Sequence, residues 1–291
     1  MPIQYGNQNV DERYSRLIEP NLFTNTPLVP GVTYSDKYTI GPAGGIYVHK
    51  LNNSTGRRTT PGNDFPEATD SGDTLIQIVL NNCFQANEKI YNVAAAAVDI
   101  ALANERMSNA VSVVRNLRGR SALACLATEG VASEKTNTLT ASNIKNAILA
   151  ERTALSETGV TGDVVQCSPT VYSLILEAAG EQFTPNANER MNSTGKVGAW
   201  LGFTFVENTD MAAGVDLSYR NAAGEETTLA AADLAKIDFI MYNHEFFSII
   251  DNINMARIKD SEKFNGCLAQ IEQNTGFKVT TDKCVRVRSH A

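Results

Sequence analysis

The amino-acid sequence predicts an α+β protein arranged around one long helix, and three observations carry that expectation. From about Glu88 to Thr128 the chain runs about forty residues without a proline and is rich in alanine, the best helix former. Downstream, short apolar runs at Val164 to Cys167, Gly202 to Glu207 and Asp238 to Tyr242 alternate with helical patterns, as in a compact α/β lobe. The last fifty or so residues read mostly as strand.

Taken in order, Pro2 to about Lys37 reads as an arm. One short amphipathic piece, Asn9 to Ile18, is followed by a stretch in which Pro20, Pro27 and Pro30 forbid a long helix and favour extended chain. Leu22, Phe23, Leu28 and Val29 need an apolar surface that nothing local supplies, so the arm covers either its own body or a neighbouring subunit. Gly44 to Leu51 and Thr74 to Asn81 are strand-like, and a polar segment rich in Gly, Pro, Ser, Thr, Asn and Asp joins them. Connections longer than ~12–15 residues without structure of their own tend to be functional. Lys50, Arg57 and Arg58 make the first part of this one basic, while Asp64, Glu67, Asp70 and Asp73 make the second acidic.

In the long helix, Ile100, Ala103, Met107, Ala110 or Val111, Val114 and Leu117 recur three or four residues apart and form one apolar stripe. Gly119 is its weak point, where a bend or break is expected before Ala122, Leu123 and Leu126 resume the pattern. At 1.5 Å per residue the segment reaches on the order of 50 Å, beyond the ~30 Å of a small domain, which suits a spine joining two lobes.

Ala141 to Glu157 is helical, with a start signal at Thr140/Ser142, and Ser168-Pro169 opens a second helix through Ala179. Glu181 to Lys196 is a long polar loop. Gly214 to Leu234, around a turn at Asn221 to Gly224, looks like an insertion that decorates the surface. Phe246 to Asn252 and Met255 to Ile258 are strands. Cys267 to Glu272 and Phe277 to Val279 look like a hairpin turning at Asn274-Thr275-Gly276. In the last strand, Val285 and Val287 are expected inward, with Arg286 and Arg288 outward.

Composition narrows the function. The chain has 291 residues, 43% of them hydrophobic, and a formal net charge of -7, which argues against gripping nucleic acid through phosphate neutralisation. Cys83, Cys125, Cys167, Cys267 and Cys284 are scattered, without a C-x-x-C pair, and read as reduced buried thiols. His49, His244 and His290 belong to no metal-ligand pattern, so no metal and no cofactor is expected. TGKVG at Thr194 fails as a phosphate loop because the required glycine falls at Arg190, and GPAGG at Gly41 lacks the strand and helix that a dinucleotide fingerprint needs. No converging catalytic set is visible, and the chain is not read as an enzyme.

The order of parts then becomes informative. VVQCSPTVYSLILEAAG resembles a strand followed by an "SP-x-x-Y-x-x-L" helix. GKVGAWLGFTFVENTDM resembles a "G-x-V-G-x-x-x-G-F-x-V-x-x-(S/T)" segment, and the stretch from Phe239 to Val279 resembles a closing passage ending in "Y/T-G-x-K-V". With an N-terminal arm, an extended loop and a spine helix, these resemble the major capsid protein of tailed bacteriophages, the Hong Kong 97-type fold. That resemblance implies subunits forming hexamers and pentamers of an icosahedral shell around double-stranded DNA. Residues 1–37 would be the arm and 38–82 the extended β-hairpin loop, both laid over an adjacent subunit. Residues 83–139 and 243–291 would form the β-rich peripheral domain with the spine helix, and 140–242 the axial α/β domain.

The partners implied are further copies of the chain, a portal and a possible decoration protein. Because the arm begins almost at Met1, a separate scaffolding protein is also expected. Lys50, Arg57 and Arg58 are expected to meet acidic groups of the next subunit, with Asp251, Asp260, Glu262 and Glu272 as candidates. An encapsulin-like compartment shell remains the alternative within the fold, and a small α+β enzyme the alternative outside it.

Overall fold

A computed structural model of the chain describes residues 29–34, 45–51, 58, 72–91, 102–180 and 199–290, and the statements below concern these. The first strand, β1 (Val32–Tyr34), is followed by an antiparallel hairpin of β2 (Gly45–Leu51) and β3 (Asp73–Val79). Next, β4 (Asn82–Tyr91) leads to helix α1 (Leu102–Glu129). Glu88 to Tyr91, expected as the start of the helix, is therefore strand. Each of these residues pairs with one near the start of the later strand β13 (Gly266–Val279), and that long-range pairing overrides a local helical preference.

Helix α1 is about 42 Å long at ~1.5 Å per residue and runs through Gly119 unbroken. The glycine is buried, and the tertiary packing around it outweighs its ~1 kcal/mol propensity cost. The apolar stripe is narrower than expected. Ala110 and Val114 pack on Ile271 with Phe84 and Ala86, whereas Val111 and Leu117 face outward. From Ser121 to Leu126 every residue is buried, because this end lies between two sheets.

After β5 (Val131–Lys135) the lobe begins with α2 (Ile144–Ser156), preceded by a turn in which Asn143 Oδ1 accepts the Thr140 amide at 2.8 Å. Strand β6 (Val164–Cys167) runs into α3 (Pro169–Gly180), where Pro169 occupies the first turn and Ser168 Oγ accepts the Val171 amide. The loop expected at Glu181 to Lys196 lies outside the described residues. There follow β7 (Ala199–Trp200), β8 (Phe203–Glu207), the hairpin β9 (Leu217–Arg220) and β10 (Glu226–Leu229), the short helix α4 (Ala231–Leu234), and β11 (Ile237–Tyr242). The 214–234 segment is not free decoration: Leu217, Tyr219 and Leu234 are buried in the core shared with α1.

The C-terminal part holds two fourteen-residue strands, β12 (Phe247–Asp260) and β13, and then β14 (Val285–His290). The expected turn at Asn274-Thr275-Gly276 is absent. β13 runs straight through it, pairing with both β12 and β4, and the reversal falls at 261–265 instead. β12 is likewise one strand, with a bulge between Ile253 and Met255.

Beside the two-stranded β2–β3 and β9–β10 sheets there are two larger ones, the first of order β1-β12-β13-β4 and the second of order β5-β14-β11-β6-β8-β7. β11 shows how the second is packed. Phe239 and Met241 enter the core under α2 and α3, and Ile240 and Tyr242 enter the core shared with α1 and the first sheet, so all six residues are buried. Burial of both faces also corrects the expectation for Arg288. It is 4% exposed and paired with Asp238 at 3.2 Å, while Arg286 reaches Glu151 of α2 at 3.1 Å.

Candidate assembly surface

The β2–β3 hairpin is anchored at its base and carries exposed apolar residues on its other face. Ile46 and Ile78 are buried against Ile250 of β12, with Leu80 beside them. A side chain as large as isoleucine contributes about 1.5–3 kcal/mol when fully buried, and Ile78 is. Gly276 of β13 permits the close approach, since a Cβ there would stand 2.5 Å from the Val79 carbonyl oxygen. On the opposite face, Tyr47 is 56% exposed and Leu75 57% exposed. The register pairs Tyr47 with Gln77 and His49 with Leu75, so the two exposed apolar residues share one face on a diagonal.

The charged candidates that the structure describes lie on different elements. Arg58 is exposed; Lys50 lies in β2 opposite Thr74. The side chain of Lys50, with Leu22, Phe23, Leu28 and Arg57, lies outside the described residues. Asp260 and Glu262 are exposed at the turn between β12 and β13, where Lys259 approaches Glu262 at 3.7 Å. Glu272, on the sheet face away from α1, accepts a hydrogen bond from Gln85 at 2.7 Å.

Asp251 is held within its own chain. Its carboxylate takes a two-point contact from Arg118 of α1, with Nε to Oδ1 at 2.8 Å. Gln273 Nε2 and Thr275 Oγ1 each donate to the same Oδ1 at 3.0 Å. Through these bonds Asp251 ties the spine to the first sheet within its own chain. Arg118 had no signal in sequence beyond a charged residue off the apolar stripe.

The end of the arm follows one of the two alternatives that the sequence leaves open. Val29 is buried in the main core, Tyr242 Oη donates to the Pro30 carbonyl at 2.9 Å, and β1 pairs parallel with β12. A Cβ at Gly31 would meet the Phe247 ring at 2.7 Å, so this part is fitted closely to its own chain. Residues 29–34 therefore cover their own body; the earlier arm residues lie outside the description.

The turn at 261–265 is a charged corner of the first sheet. Lys89, Arg257, Lys259 and Lys263 stand around an open groove of about 390 Å³ with Asp260 and Glu262 between them. Phe264 folds back on Tyr91, with 5.0 Å between ring centroids, and Lys89 Nζ lies over its ring.

Two of the histidines have acidic partners. His244 pairs with Asp163, and His290 Nδ1 lies 2.9 Å from Asp238. Among the described residues no group of His, Cys, Asp and Glu could hold a metal ion. All five cysteines are free, but Cys83 is exposed, against the expectation of buried thiols. Burial pushes the Cys125, Cys167, Tyr219 and Tyr242 side chains well above their ordinary pKa ranges. They pack as neutral groups.

No protein-family model and no curated protein matches the sequence. Solved structures do match. A chain from the capsid structure of cyanophage P-SCSP1u is 12% identical with a TM-score of 0.67, covering 96% of this chain and 92% of that one. A chain from the mature capsid of bacteriophage PhiM1 is 13% identical with a TM-score of 0.60, covering 96% and 89%. One from Mycobacterium phage Che8 is 12% identical with a TM-score of 0.60, covering 84% of each. At these identities it is the path of the backbone that is shared: the chain has the α+β fold of bacteriophage capsid chains, the Hong Kong 97 type that its order of parts resembles.

Proposed function

We propose that the chain is the major coat protein of a tailed, double-stranded DNA bacteriophage, a subunit that closes a shell by interlocking with copies of itself. The observation that carries this reading is the β2–β3 hairpin, seated on Ile250 but presenting Tyr47 and Leu75 to solvent, within a backbone shared end to end with phage capsid chains. Exposed aromatic and aliphatic side chains on a projecting element are stabilised when a neighbour covers them. Contacts of this head-to-tail kind close into rings, here hexamers and pentamers.

In this reading 1–37 is the arm, 38–82 the extended loop, 83–139 with 243–291 the peripheral domain and 140–242 the axial domain. Lys50, Arg57 and Arg58 meet Asp260, Glu262 or Glu272 of the next copy. Arm residues Leu22, Phe23 and Leu28 lie on a neighbour or on their own body. A separate scaffold, a portal and a decoration protein act on the same shell, which is assembled in the host cytoplasm and ends as the virion capsid. The net charge of -7 suits a container that encloses DNA without gripping it.

The experiment is expression of the full chain, alone and with the proteins of its own phage, followed by sedimentation and nuclease treatment. Shells that protect double-stranded DNA in the phage background are expected. Shells filled with protein cargo would assign the chain to an encapsulin-like compartment, and a monomer with a ligand-filled pocket would make it an enzyme. Arg57→Glu with Arg58→Glu should abolish shells while the melting curve of the subunit stays unchanged; normal particles from the double variant would remove the charge pairing.

A further inference from the structure

The projecting hairpin meets the body at a second place besides its apolar seat. Asn81 lies between β3 and β4 and Asn82 opens β4, and both side chains reach the β9–β10 hairpin, 138 residues further along the chain in the case of Asn82. Within its sheet β9 pairs with β10 alone, which leaves backbone groups along its other edge to be satisfied from outside. Asn82 Oδ1 accepts the Arg220 amide at 2.7 Å, and Asn82 Nδ2 donates to the Arg220 carbonyl at 3.1 Å. One carboxamide thus does the work of a neighbouring strand.

Two residues back along the same edge, the Ser218 carbonyl accepts from Ser121 Oγ of α1 at 2.8 Å. Asn81 Nδ2 donates to the Asn221 carbonyl, and Asn82 Nδ2 also donates to Asn81 Oδ1 at 2.9 Å. Asn82 is 5% exposed, and a cavity of about 160 Å³ lies beside it, bordered by Cys83, Tyr219 and Glu226. At this junction identifiable hydrogen bonds add to the apolar contact that Phe84 of β4 makes with the core holding Leu217 and Tyr219. An asparagine in an ordinary surface turn would be satisfied by water and needs neither this burial nor this aim.

We infer that Asn82 is a positioning residue for assembly: by binding the free edge of β9 it ties the root of the projecting hairpin to the 214–234 segment and sets the angle at which the hairpin leaves the body. One anchorage, Ile46 and Ile78 on Ile250, leaves the hairpin free to pivot; the second, Asn81 and Asn82 on Asn221 and Arg220, removes that freedom. The consequence for assembly rests on the coat-protein reading, whereas the geometry does not.

Hydrogen exchange and electron microscopy on the full-length wild type, Asn82→Ala and Asn82→Asp test it. Losing both bonds in Asn82→Ala shifts the docked ratio by roughly tenfold. Exchange should rise by that factor at the Arg220 amide and across 45–51 and 73–79, with Phe239 to Met241 unchanged, and regular shells should give way to aberrant ones. Asn82→Asp keeps the acceptor for the Arg220 amide but turns an oxygen towards the Arg220 carbonyl and Asn81 Oδ1, so it should restore only part of the Arg220 protection and none of the hairpin's. Faster exchange at Arg220 alone, with the hairpin and particles unaltered, would reduce Asn82 to a local cap and overturn the inference; so would no change anywhere. If Asn82→Ala fails to fold, Ser121→Ala, which removes only the Ser218 bond, should give the same pattern at smaller amplitude, and its absence would be equally fatal. A wild type that forms no shells counts against the coat-protein reading, and the exchange pattern then decides the role of Asn82 by itself.

Discussion

Gly276→Ala is the substitution in which the seating of the hairpin can be worked out from the coordinates. The added Cβ would stand 2.5 Å from the Val79 carbonyl oxygen, 3.0 Å from its carbonyl carbon and 3.2 Å from Ile78 Cγ2. Ordinary contact lies near ~3.5 Å, so the root of the hairpin must retreat by about 1 Å. The nearest atoms are backbone, and a rotamer change cannot absorb the shift. Pivoting by ~1 Å across the ~5 Å spacing of two strands tilts the hairpin about 10° and displaces the far end of its strands, some 24 Å away, by about 4 Å. Overpacking of this kind costs about 1–3 kcal/mol, or several degrees in the melting temperature of a chain this size. The expected result is a folded subunit that melts slightly lower and yields few or malformed particles by sedimentation and electron microscopy. Particles and melting indistinguishable from wild type would refute the seating on Ile250.

Three further outcomes follow from the same contacts. Asp251→Ala should lower subunit stability by about 2–3 kcal/mol in a denaturant titration, since it strips a partly buried Arg118 of its charged acceptor; Asp260→Ala, at an exposed turn, should leave that titration unchanged. Stability should fall on the alkaline side. Cys125, Cys167, Tyr219 and Tyr242 have pKa values raised by burial, so their contribution is complete below the unfolded-chain values of ~8.5 and ~10 and is lost as pH rises beyond them; a melting temperature constant from neutral pH to strongly alkaline pH would contradict this. Cys83 should be the first thiol alkylated in the folded subunit because it is exposed, yet more slowly than a free thiol at neutral pH, since partial burial and then Glu272 raise its pKa; Glu272→Gln should speed it, as followed by mass spectrometry.

Much of the fold was legible in local pattern. Alanine content revealed α1, Ser168-Pro169 the start of α3, and the three apolar runs the centre of the six-stranded sheet. What escaped depended on partners distant in sequence. Glu88 to Tyr91 carried helix-like neighbours, but the alternation of Phe84, Ala86 and Ile90 was a period-two signal for β4, which faces α1 with those residues. Asn274-Thr275-Gly276 has the residues of a turn, while its glycine serves close passage of Val79. Arg288 alternates correctly and still points into protein, because helices cover the face on which solvent was expected. At the candidate surface, the polarity of the long loop could be read directly. The capture of Asp251 by Arg118, 133 residues away, and of Arg220 by Asn82 could not.

A cryo-electron microscopy reconstruction of the assembled protein reaches the central claim most directly, because it shows what lies over Tyr47 and Leu75. The account expects a closed shell in which a neighbouring copy buries both side chains and each hairpin leaves its subunit at the angle that Asn82 holds. Single, separate chains at high concentration, with both side chains still in water, would contradict it.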